Sequence, residues 1–174
     1  MEAVSLGRPL ARSNPAELPG LAKGLNNLGI HLAGLDRRQE ALAAVEEAVG
    51  LWRSLARDDP THQPGLAMAL DNLGIRLNEL GRRHDALAAA EEAVARYRAL
   101  ARSNPAELSG LATGLNNLNV HLDGLGRRQE ALAAAKEAVG VWRALARNDP
   151  GRYQETYNRT LAQLRRKLDL HGQT

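Results

Sequence analysis

Residues 26–49 read NNLGIHLAGLDRRQEALAAVEEAV, and their pattern decides the fold. Leu25, Leu28, Leu32 and Leu35, with Leu21 before them, alternate by four and three, the stripe of one face of an α-helix. The stretch DRRQ (residues 36–39) interrupts that stripe. A second stripe then follows through Ala41, Leu42, Val45, Ala48, Val49, Trp52, Leu55 and Ala56. Its apolar arc is wide, as suits a helix wedged between neighbours. Asn26 and Asn27 sit awkwardly in the first helix, because asparagine is about 0.6 kcal/mol poorer than alanine as a helix former.

The same break recurs at Asp71-Asn72 and Asn116-Asn117, because the whole chain is periodic. Pro15, Pro60, Pro105 and Pro150 are spaced by 45 residues, as are Leu21, Leu66 and Leu111. Trp52, Tyr97 and Trp142 share one position and are expected in the core. Three units follow: 16–60, 61–105 and 106–150, each a pair of helices. Gly81 and Gly126 fall where the first unit has Asp36, a place suited to the left-handed end of a helix. An Asn-Pro or Asp-Pro pair closes each unit, since the residue before proline avoids helical geometry.

Residues 1–15 align with the end of a unit and are expected to be the partial second helix of a preceding repeat. They would leave the flank of the first full unit thinly covered, so end-to-end self-association is expected. In residues 151–174, Tyr157, Leu161, Leu164 and Leu168 repeat the first-helix spacing, shifted by one residue after Pro150. That segment is more charged, as expected of a C-terminal capping helix with a wet outer face.

Composition narrows the function. The 174 residues carry no cysteine, which removes disulfides and thiolate metal sites and favours a reducing, cytoplasmic setting. No apolar run approaches a membrane span, so no membrane partner is expected. The net charge of +3 is spread as arginines followed by carboxylates: Arg37 with Glu40, Arg82 with Asp85, Arg127 with Glu130. With few aromatics to stack bases, this reads as an ion-paired surface and not as a nucleic-acid site. Glu46-Glu47 and Glu91-Glu92 are likewise expected on the solvent side, paired with arginines. No phosphate loop, nucleophile elbow or metal motif is present, so neither an enzyme nor a cofactor is expected. His31 and His121 share a position, with Arg76 between them, which argues against metal ligation.

With these positions together, the chain resembles the tetratricopeptide repeat. Asn27-Leu28-Gly29, Asn72-Leu73-Gly74 and Asn117-Leu118 match its N-L-G, with spaced alanines at Ala41 and Ala48, Ala86 and Ala93, Ala131 and Ala138. The family's usual unit is about 34 residues; the 45-residue unit is similar to the elongated repeats of kinesin light chain and bacterial sensor proteins. The surplus is close to whole helical turns, which keeps the stripes in phase. Asn119 replaces the glycine expected for close helix contact. The resemblance implies an all-α, right-handed helix-turn-helix solenoid whose first helices line a concave face.

On a helical wheel Ile30 lies opposite the leucine stripe, with Asn26 and Asn27 on either side, and Ile75 and Val120 share its position. A groove with apolar centres and amide edges follows. Its expected peptide-binding residues are Lys23, Asn26, Asn27, Ile30, Asp71, Asn72, Ile75, Asn78, Glu79, Asn116, Asn117, Val120 and Asp123. Asparagine offers donor and acceptor, so it can pair with a peptide backbone; in peptide-binding members of the family, the asparagine in the position of Asn27 does so. A structural role, holding neighbouring helices, is the other reading. The basic clamp of some members is not reproduced, because Met68 and Thr113 replace Lys23 and Asp71, Glu79 and Asp123 share the face. A basic or mixed-charge peptide fits better. The expected function is therefore non-catalytic protein or peptide binding, as a scaffold. The alternative is an architectural spacer, oligomerisation or sensor arm of a larger signalling protein.

Overall fold

A computed structural model describes residues 15–171; residues 1–14, which the sequence assigns to a partial helix, lie outside the described part. The described residues are all-α, an array of helix pairs. The first helices are α1 (Leu18–Gly34), α3 (Gln63–Glu79) and α5 (Leu108–Gly124). The second helices are α2 (Arg38–Asp58), α4 (Arg83–Ser103) and α6 (Arg128–Asn148), and α7 (Pro150–His171) follows. The chain divides into two compact units, one ending at Arg96 and one beginning at Tyr97 within α4.

Each turn within a pair is built alike. Asp36 has φ 58°, and Gly81 and Gly126 have φ 76° and 74°, the left-handed geometry expected at that position. The chain then folds back so that the amides of Arg37, Arg82 and Arg127 donate to the carbonyls of Leu32, Leu77 and Leu122, each at 2.9 Å. These bonds span six residues and satisfy carbonyls that the helix end would leave open. Leu35 departs from the expected stripe: it follows the last residue of α1 and is 69% exposed.

The joints between pairs also repeat. Asp59 and Asn104 take extended backbone before proline, and their side chains accept from the amides of Thr61 (2.8 Å) and Ala106 (3.1 Å). The Asp-Pro or Asn-Pro pair thus ends one helix and caps the turn that starts the next. In the first unit Trp52 packs on α3, where a methyl group at Gly65 would come within 2.8 Å of the indole. In the second, Tyr97 occupies the equivalent space over Gly110. Trp142 meets Tyr153 of α7 with ring centroids 6.0 Å apart. All three aromatics are buried, as expected.

Small residues set the spacing inside a pair. Gly29 faces α2, and a Cβ there would collide with Val45 and approach the Ala41 carbonyl to 3.0 Å. In the third pair Asn119 stands in the glycine position and Ala135 where the first pair has Val45; the second pair has Gly74 and Ala90 there.

Candidate functional site

In the first unit the outward face of α1 carries Lys23, Asn27 and Ile30, all exposed, with Ile30 at 47%. An isolated helix gains nothing from a β-branched residue facing water. Ile75 is half-buried on α3. Asn26 departs from the wheel: it is 1% exposed, and its Oδ1 accepts from Nδ2 of Asn72 at 3.1 Å. The amide pair joins α1 to α3, so Asn26 is not an edge of an open groove. Asp71 is also buried, at 7% exposure. Asn72 and Asn78 are half-buried, and Glu79 holds Arg76 at 3.1 Å.

In the second unit Val120 is 55% exposed on α5, with Asn116 and Asn117 half-buried. Asn116, Val120 and Asp123 line a cavity of about 340 Å³ whose other wall is α7. Lys167 of α7 reaches across it, donating to Asn119 Oδ1 at 2.6 Å and pairing with Asp123 at 3.2 Å. Gln163, Thr160 and Leu164 complete that wall. Sequence reasoning missed Lys167 and Gln163. The signal was available: Gln163 precedes Leu164 as Asn27 precedes Leu28, so it occupies the asparagine position of a first helix.

The surrounding charges are largely paired. Arg37 grips Glu40 through two hydrogen bonds, as Arg127 grips Glu130, and the guanidinium holds each carboxyl below its ordinary range. Arg82 pairs with Asp85 at 2.8 Å. Glu92 lies between Arg53 (2.6 Å) and Arg96 (2.8 Å); burial is the largest single influence and raises its pKa, but the hydrogen bonds and charges of Arg96 and Arg53 together outweigh it and leave the carboxyl below its ordinary value. His121 is 4% exposed and its pKa is lowered by burial, whereas His31 in the same position is exposed. Among the described residues no group of three or more His, Cys, Asp or Glu is placed to hold a metal. No helix among them is long and apolar enough to cross a membrane.

Residues 20–99 match the family model described as tetratricopeptide repeat. The chain is a TPR-like repeat array. Solved structures with this fold include BtubC (BKLC) from P. vanneervenii, 22% identical with a TM-score of 0.64. The likeness covers 83% of this chain and 54% of that one, so the chain spans about half the length of BtubC. MamA is 16% identical with a TM-score of 0.55, over 99% of this chain and 90% of its own. A putative kinesin light chain from Podosopora anserina, with nearly identical TPR-like repeats, is 18% identical at a TM-score of 0.41, over 98% and 95% of the two chains. No curated protein matches the sequence. TPR-like repeats generally mediate protein–protein interaction.

Proposed function

We propose that the chain is a non-catalytic binding module that takes an extended peptide on the outward faces of its first helices, one face in each unit. The observation that carries this reading is the pair Ile30 and Val120, β-branched residues held in solvent at the same helical position, with the amides of Asn27 and Asn116 on the same helices. Such a strip offers an apolar contact with hydrogen-bonding edges, which suits a peptide whose side chains and backbone are read together. In the first unit Asn27 and Ile30 are the contacts, with Lys23 beside them. In the second, Val120, Asn116 and the Lys167–Asp123 pair offer both charges, which suits a mixed-charge ligand. The buried bond between Asn26 and Asn72 supports an architectural role for those two amides, so backbone reading falls to the exposed Asn27 and the half-buried Asn116.

Panning a random peptide library on the chain tests the proposal. Peptides should be retained. Ile30→Asp or Val120→Asp, both exposed positions, should weaken their binding by about tenfold or more while the helical content holds. Failure to retain any peptide, or binding indifferent to both substitutions, would refute it.

A further inference from the structure

The seam between α1 and α3 and the seam between α5 and α7 use the same positions but are finished differently. In the first unit an amide pair closes the seam: Asn72 Nδ2 donates to Oδ1 of Asn26 at 3.1 Å, and Asn26 is 1% exposed. In the second unit Asn116 holds the position of Asn26, and Gln163 holds that of Asn72. These two are not bonded to each other. Asn116 is half-buried and Gln163 exposed, and both line the cavity of about 340 Å³ between α5 and α7. Neither side chain has a hydrogen bond among the described residues.

The charges of the cavity are satisfied within it. Its charged lining residues, Lys167 and Asp123, pair with each other at 3.2 Å, and Lys167 also donates to Oδ1 of Asn119 at 2.6 Å. The buried Ala135 and Leu164 give the cavity an apolar base. Two amides remain open, each holding a donor and an acceptor side by side, next to opposite charges that cancel. A carboxylate brought there would meet Asp123 and leave the amide carbonyls unpaired. An ammonium or guanidinium would meet Lys167 and leave the amide N–H groups unpaired. An apolar side chain would leave both kinds of group unpaired, at a cost in affinity. A carboxamide answers an amide at both atoms and brings no charge of its own.

On the reading that the first-helix faces take a peptide, we propose that the cavity between α5 and α7 is the pocket for a glutamine or asparagine side chain of that peptide. The ligand carboxamide pairs with Asn116 and Gln163, and its methylenes lie on Leu164 and Val120. In the first unit the same two positions bond each other and are not offered to a ligand. Selection by side chain therefore belongs to the second unit, and the exposed Ile30 strip of the first adds contact without that choice.

A displayed random peptide library, panned in parallel on two forms of the full chain, tests this. Both forms carry Ile30→Asp, so that selection falls on the second unit, and one also carries Gln163→Glu. Gln163 is exposed, so circular dichroism should not change between them. The form that keeps Gln163 should retain peptides sharing glutamine or asparagine at one position. Replacing that peptide residue by leucine, glutamate or lysine should weaken binding by about tenfold or more. The Gln163→Glu form should prefer lysine or arginine there, because its pocket carries a further carboxylate. Retained peptides with no shared carboxamide residue, or the same selection by both forms, would overturn the pocket and leave peptide binding standing. Peptides retained by the unsubstituted chain but not by the Ile30→Asp form would also overturn the pocket alone. Retention of none by either would overturn the first-helix reading as well.

Discussion

Asn27 and Asn72 hold the same position in successive first helices but have different surroundings. Asn72 donates to the buried Asn26, whereas Asn27 is exposed. Asn72→Ala should therefore strand an amide oxygen that is out of reach of water, at about 1–3 kcal/mol, offset by about 0.6 kcal/mol of helix propensity. Asn27→Ala should be neutral or slightly stabilising. Paired thermal or urea denaturation measures both; equal effects at the two sites would remove the distinction. Asp36 is a second residue-scale case, since its φ of 58° is unfavourable for a side chain with a Cβ. Asp36→Gly should raise stability by up to about 1 kcal/mol, because relief of the left-handed penalty of about 1–2 kcal/mol exceeds the entropic cost of glycine of about 0.5–1 kcal/mol and the ion pair it forfeits with Arg38 is well exposed and worth little. A fall in the denaturation midpoint would contradict this.

At the scale of the helix pair, close approach depends on complementary small residues. Gly29→Ala should destabilise by about 1–3 kcal/mol, since the new methyl group collides with Val45. Adding Val45→Ala should recover much of the loss, because it removes the Val45 methyl group that the new Cβ meets. Urea denaturation of the single and double variants checks it, and no recovery in the double variant would contradict the packing. The helix pairs and their left-handed turns were legible in the sequence because periodicity and the Asp36, Gly81 and Gly126 position each have a local cause. The burial of Asn26 was not, since a wheel drawn for one helix does not show where the next helix lies. Leu35 was misplaced because the stripe runs on after the helix ends. The Lys167–Asn119 bond joins residues 48 apart across a one-residue change of phase, so no local pattern announced it.

For the whole molecule, pH offers a test with a defined sign. Burial lowers the pKa of His121, so the folded chain binds a proton there less readily than the unfolded chain does. Its contribution is complete above the unfolded pKa, about 6.5, and is lost as pH falls from there toward the folded value. Glu40, Glu92, Glu130 and Asp59, whose pKa values are lowered, lose theirs only as pH falls through the more acidic carboxylate range. Denaturation midpoints should decline on acidification below about pH 6.5, and the decline between there and about pH 5 should be shallower in His121→Gln. Identical profiles would place His121 in solvent.

The central claim is that ligand binds the first helices and that the second helices support them. Amide hydrogen exchange of the full chain, with and without a peptide selected from the library, measures this directly. Added protection is expected in α1 and α5, centred on Ile30 and Val120, with α2 and α6 unchanged. Protection confined to the second helices, or spread evenly over the chain, would contradict the account.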